Sequence, residues 1–253
     1  MRPELQRLEA GGGTVCALGA DTWRLDLPAG TGERYRLAQL DDYHRRARSD
    51  LPWRIPARLD VTARLSAAAI HGTWGFGFWN DPFSVNLGLG GMARRLPAGP
   101  NCAWFFYASP PNYLALRDDH PAQGFLAATF SSFAFPSVLL APGLLLTPAL
   151  FWPPAAAGLR RLARQWIRED ATALEETVTE WHHYRIALEP DAVRFYVDGR
   201  LRLETGCVPQ GRLGLVIWID NQFAAFPADG RFRSGRLANE KAAWLEVAEL
   251  QIN

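Results

Sequence analysis

The chain has 253 residues, 48% hydrophobic and 21% charged, which is the make-up of a globular protein and excludes a disordered one. Its formal net charge is +1, so no overall field draws it to nucleic acid or to an acidic polymer. The three cysteines, Cys16, Cys102 and Cys207, form neither a disulfide framework nor a metal-ligand spacing, and no metal or cofactor is expected.

The N-terminal MRPELQRLEAGGG has no apolar run of the signal-peptide kind, so the expected compartment is the cytoplasm. ARLDVTARLSA (57–67) alternates Leu59, Val61, Ala63 and Leu65 with Arg58, Asp60, Thr62 and Arg64, the period of a half-buried strand. TWGFGFW (73–79) sets Gly75 and Gly77 on one face and aromatics on the other. Glycine in a strand lets a backbone or a ligand come close. FSVNLGLGG (83–91) and NCAWFFYAS (101–109) read as further strands.

From Pro121 to Leu159 there is no charged residue. Pro136, Pro142, Pro148, Pro153 and Pro154 interrupt this stretch and argue against a transmembrane helix. LRRLARQWIRED follows. Leu159, Leu162, Ala163, Trp166 and Ile167 form one helical face, and Arg160, Arg161, Arg164 and Arg168 the other. The pattern allows this helix to continue through the acidic EDATALEE. Residues 121–180 are expected to be an insertion, an uncharged Pro-rich segment plus an amphipathic helix, within a single β-sandwich domain covering 1–253.

HHYRIALEPDAVRFYVDGRLRLET (182–205) reads as a meander, turning at Glu189-Pro190-Asp191 and at Asp198-Gly199. GRLGLVIWIDN and AWLEVAELQIN supply two more strands. Many short strands with turn signals predict an all-β sandwich or barrel and not βαβ units.

Two segments carry a resemblance. EWHHYRIALEPDAVRFYVDG (180–199) resembles the Trp-His-x-Tyr strand and Phe-Tyr-Val-Asp-Gly hairpin of concanavalin A-like jelly rolls, and in particular of laminarinase-like β-glucanases. GTWGFGFWNDP and WLEVAELQI are similar to two further strands of that family. The resemblance implies a jelly-roll β-sandwich. Its hydrolases use Glu-x-Asp-x-x-Glu, or a form one residue shorter, because retaining hydrolysis needs two carboxyl groups about 5 Å apart. No such motif is present, for no glutamate lies between Glu33 and Glu169. The retaining glucanase mechanism is therefore not carried over.

The remaining polar groups follow tryptophans: Asn80 and Asp81 after Trp79, Asp220 and Asn221 after Trp218. Aromatic planes beside acids and amides suit sugars, although Asn-Asp-Pro and Asp-Asn are equally turn signals. The expected ligand-binding set is Trp74, Trp79, Asn80, Asp81, Trp104, Tyr107, Trp218, Asp220 and Asn221. Asp81, Asp220 and His71 are the candidate acid or base groups.

Within the apolar stretch, Leu145, Phe151, Trp152, Arg160, Arg164 and Trp166 suit a lid over a cleft or an interfacial anchor. Three functions follow. The first is binding of a carbohydrate or glycosylated small molecule on a glucanase-like scaffold. The second is a divergent enzyme acting on a bulky, partly apolar ligand in an enclosed cleft. The third is peripheral membrane contact or homo-oligomerisation through residues 137–168.

Overall fold

A computed structural model describes residues 4–82, 98–133 and 152–253. Two seven-stranded antiparallel sheets face each other. Strands are numbered along the chain. The first sheet runs, in spatial order, β1 (Gln6–Ala10), β4 (Leu37–Asp41), β13 (Gly214–Asp220), β6 (Thr73–Trp79), β7 (Cys102–Ala108), β8 (Gly124–Ser132) and β9 (Ile167–Ala173). The second runs β12 (Arg200–Thr205), β11 (Val193–Val197), β10 (His182–Leu188), β5 (Ala57–Leu65), β16 (Ala243–Ile252), β3 (Thr22–Leu27) and β2 (Thr14–Ala17). A hairpin, β14 (Gln222–Ala225) with β15 (Arg233–Arg236), stands apart, and one α-helix is described, α1 (Pro153–Trp166). The all-β sandwich of jelly-roll type with a helical element is thus the observed architecture.

Period-two patterning sorts the side chains. Trp74, Phe76 and Phe78 of β6, Phe105 and Tyr107 of β7, and Leu215, Ile217 and Ile219 of β13 point between the sheets. There they meet Leu59, Val61, Tyr184, Ile186, Phe195 and Val247 of the second sheet. The alternate residues of the same strands, Trp104, Phe106, Val216 and Trp218, form a second buried cluster on the outer face of the first sheet. A sheet apolar on both faces must be covered on both.

The predicted turns are present. Asp198 (φ 49°) and Gly199 (φ 76°) both take the left-handed conformation that a two-residue hairpin of the Asp-Gly kind requires. Asp198 also accepts the His183 backbone N–H at 2.9 Å and pairs with His182 Nδ1 at 2.7 Å, so these residues hold the meander together.

Three expectations change. The segment 121–180 is not wholly an insertion, because it contributes β8 and β9 to the first sheet. The acidic stretch after the helix continues as β9 and not as helix. Residues 167–173 pair antiparallel with the free edge of β8, and that ladder overrides the helical propensity of the sequence. The helix is also turned from its expected orientation. Arg160 is buried and Leu162 and Trp166 are exposed, because the inward side offers polar partners to an arginine fork. The expected strand at 83–91 lies outside the described residues, as do Leu145 and Phe151.

Candidate functional site

The outer face of the first sheet is the richest surface in aromatic and polar groups. Register places Gln39, Trp218, Gly75, Phe106 and Leu126 in one row, and Asp41, Val216, Gly77, Trp104 and Ala128 in the next. The two glycines explain how large rings fit there. A Cβ on Gly75 would lie 2.8 Å from the Trp218 ring, and one on Gly77 would lie 2.7 Å from Trp104 Cβ. The predicted close approach at these glycines is therefore made by the chain's own tryptophans.

The rings form a continuous run. Tyr43 meets Trp79 edge-on at 5.9 Å, Trp79 lies 5.9 Å from Trp104, and Trp104 lies 5.5 Å from Trp218 and 5.4 Å from Phe106. The indole N–H groups differ in their satisfaction. Trp218 Nε1 donates to Thr73 Oγ1 at 2.9 Å. Trp79 Nε1 and Trp104 Nε1 are buried and have no hydrogen-bond partner among the described residues. Such orphans are uncommon in folded proteins because an unmade buried hydrogen bond costs about 1–3 kcal/mol.

Polar groups flank the rings on two sides. On the β4 side Gln39 Nε2 donates to Asp41 Oδ2 at 2.8 Å, and Asp41 Oδ1 accepts the backbone N–H of His44 at 2.7 Å. At one end of β13, Asp220 Oδ1 accepts from Thr73 Oγ1 at 2.7 Å and Asp220 Oδ2 from Tyr35 OH at 3.4 Å. Burial pushes the Asp220 carboxyl up to about 6 and raises the Tyr35 phenol. On β9, burial also raises the Glu169 carboxyl, which accepts the backbone N–H of Leu116 at 2.9 Å and that of Arg117.

Loop 109–123, the β14–β15 hairpin and α1 form a roof at this face. Leu114 packs on the aromatic cluster, and Tyr113 joins the hairpin through backbone bonds from Tyr113 N to Ala224 O and from Phe226 N to Tyr113 O. Arg160 locks the helix to both. Its Nε donates to Phe226 O at 2.9 Å, and Nη2 donates to Ala115 O at 3.0 Å and to Asp118 Oδ1 at 2.7 Å.

The expected ligand-binding residues separate into groups. Trp79, Trp104, Trp218 and Asp220 lie on the outer face, as a cleft role requires. Trp74 and Tyr107 point between the sheets: Trp74 stacks on Phe125 at 4.8 Å and on Tyr107 at 5.9 Å. Alternation gave two faces for these strands but no way to tell which faced the partner sheet. Asn80 and Asn221 are structural locks. Asn80 joins Gly99 O and the Asn101 N–H, while the fully buried Asn221 joins the Arg36 N–H, Arg34 O and Leu237 O.

The two acidic pairs are not brought together. β6 and β13 are neighbours but antiparallel, so Trp79 lies beside Gly214 and Asp220 beside Thr73. Six strand steps, about 20 Å, separate Trp79 from the row of Asp220, and Asp81 lies two residues farther on. Asp81 sits at a left-handed position (φ 49°) with its carbonyl held by Arg48 at 2.8 Å. His71 is exposed, with Nδ1 2.9 Å from Ala238 O. Of the lid residues, Arg160 is a buried clamp, Arg164 reaches Asp118 Oδ2 at 3.3 Å, and Trp152 and Trp166 are exposed. Gln39, Asp41, Tyr43, Thr73, Tyr35 and Glu169 were missed. The alternation of Gln39 and Asp41 with Ala38 and Leu40 was the available signal.

No family model and no curated protein matches the chain. Solved structures do. A glycoside hydrolase family protein from Mycobacterium thermorestibile aligns with a TM-score of 0.50 at 11% identity, over 94% of this chain and 79% of that one. This chain shares that fold. A beta-1,3-glucanase from Mycobacterium marinum (TM-score 0.45, 11% identity, 95% and 77% covered) and a Bacillus licheniformis beta-glucanase (0.41, 10%, 97% and 92%) also align. At these identities the likeness concerns the fold alone, and the aromatic face must speak for itself.

Proposed function

We propose that this protein binds a carbohydrate or glycosylated small molecule on the aromatic outer face of its first sheet. One observation supports the reading: beneath the roof, on the same run of rings, Trp79 and Trp104 hold two buried indole donors with no hydrogen-bond partner among the described residues, so the ligand is expected to enter the enclosed space at this face. A sugar offers what that surface lacks. Its apolar ring face packs on indole, and its hydroxyls accept from N–H groups and bond to amides such as Gln39. The glycoside-hydrolase-type fold agrees with this ligand class as a scaffold.

The test is a thermal-shift and calorimetry panel of oligosaccharides and aryl or alkyl glycosides. A ligand at about 100 times its dissociation constant adds about 2.7 kcal/mol of stability. Trp104→Phe keeps a ring and removes the donor. It should weaken the ligand about five- to tenfold while leaving the unliganded stability near wild type. A panel in which no glycoside stabilises the protein overturns the proposal.

A second reading is favoured by Asp220. A carboxyl raised to about 6 by burial, on the same face as the rings, has the poise of a general acid or base. A divergent enzyme with an enclosed cleft is that reading. It predicts turnover of a bound glycoside with a pH limb near 6 that Asp220→Asn abolishes.

A further inference from the structure

The apolar stripe of α1 is largely exposed to solvent. Trp152 at its start, Leu162 in its middle and Trp166 at its end are 65%, 51% and 43% exposed, and Leu159 is half-buried between them. At 100° per residue these four positions fall within about 80° of arc, along a helix about 21 Å long. The β8–β9 ladder ends at Ser132 paired with Ile167, so Phe133, 63% exposed, leaves β8 at the same end of the sheet where α1 joins β9. Arg160, the residue that amphipathic patterning sends outward, occupies the buried side instead.

Charge defines what this surface fits. Between Pro121 and Arg168 there is no acidic residue, whereas Arg160, Arg161, Arg164 and Arg168 are present. Arg160 is internal, and Arg164 is partly neutralised by Asp118. Arg161 and Arg168 are exposed, and among the described residues Arg168 donates to a neutral carbonyl, Gly206 O, at 3.0 Å. Tryptophans at both ends, leucines between and arginines alongside are the composition of a helix lying in a bilayer interface. The residues joining Phe133 to Trp152 in the chain are uncharged as well. Among the described residues no helix is long and apolar enough to cross a membrane.

We propose that α1 and Phe133 form a docking surface for the interface of an anionic lipid bilayer. Phe133, Leu162, Trp152 and Trp166 enter the headgroup boundary, and Arg161 and Arg168 meet lipid phosphates. This surface is separate from the aromatic face proposed above for sugar, and each reading can fail alone.

The test is co-sedimentation of the full chain with vesicles of phosphatidylcholine alone and of equimolar phosphatidylcholine and phosphatidylglycerol, at low and high salt. The expected result is binding to the anionic vesicles that salt weakens. Leu162→Ser with Trp166→Ser should lower the partition coefficient about tenfold or more, and Arg161→Gln about fivefold. All three positions are exposed, so the variants should keep the wild-type circular dichroism. Equal binding of wild type and the double variant overturns the proposal, as does absence of binding to either vesicle. Sedimentation velocity without lipid supplies the alternative. A wild-type dimer that the double variant converts to monomer assigns the surface to a second copy and also overturns it.

Discussion

Arg160 offers the sharpest test of how the roof is held. The side chain is buried and donates to two main-chain carbonyls and to Asp118, tying α1 to loop 109–123 and to the β14–β15 hairpin. Arg160→Ala leaves Phe226 O and Ala115 O without that donor. Hydrogen bonds to a charged group contribute about 1.5–3 kcal/mol each. The Asp118 partner has a side chain 47% exposed, so that ion pair adds about 0–1 kcal/mol. Water reaching the vacated carbonyls recovers part of the loss, leaving a net destabilisation of about 3 kcal/mol. In a domain of this length that lowers Tm by about 6–12 °C. Arg160→Lys should recover less than half, because an ammonium cannot match three acceptors in a fork. Arg161→Ala, at an exposed neighbouring position, should stay within about 0.5 kcal/mol of wild type. The assay is thermal unfolding joined to amide hydrogen exchange, with protection lost first in 153–166 and 112–118. A Tm for Arg160→Ala within 2 °C of wild type, about 0.5–1 kcal/mol by the same scaling, with unchanged exchange would refute the clamp.

Three further outcomes follow from the geometry. Asn221→Ala removes three bonds to backbone from a fully buried amide and should cost about 3 kcal/mol by denaturant titration. Gly75→Val drives a side chain into the Trp218 ring and Phe105 O, and should destabilise by about 3 kcal/mol or more, read from Cm and from a disturbed near-ultraviolet circular dichroism. Asp220 binds its proton more tightly folded than unfolded, since burial raises it from 3.8 to about 6. Its contribution to stability therefore falls as pH rises from about 4 through 6 and is flat beyond. The stability of wild type relative to Asp220→Asn should drop across that window by up to about 3 kcal/mol, measured by urea titration at each pH. A difference constant with pH would remove the buried, raised carboxyl from the account.

Much of the scaffold was legible because strands buried on one side alternate. β5, β10, β11 and β13 to their turns followed from apolar residues two apart and from Glu-Pro-Asp and Asp-Gly. β14 and β15 gave no such signal, since QFAA and RSGR lack a run of β-branched residues. The site was legible in part. Trp79, Trp104 and Trp218 stood out in the sequence as clustered aromatics, and they share the outer face of the first sheet. Trp74 and Tyr107 were assigned to the ligand and belong to the core, since a sheet apolar on both faces hides which face meets its partner. Arg160 shows the limit of helical patterning. An amphipathic wheel assumes an apolar inside, and here Ala115 O, Phe226 O and Asp118 make the inside polar at one point. That reverses the helix.

Sugar binding through the indole donors of Trp79 and Trp104, the proposed function, has a direct spectroscopic test. The measurement is a ¹H–¹⁵N spectrum of the tryptophan indoles during titration with the best glycoside, assigned with Trp79→Phe, Trp104→Phe and Trp74→Phe. Trp74 is the internal control, because its Nε1 is also buried and unpartnered but lies between the sheets. Saturable shifts for Trp79 and Trp104 with Trp74 unmoved are expected. Shifts of Trp74 alone, or none at Trp79 and Trp104 at saturating ligand, would contradict it.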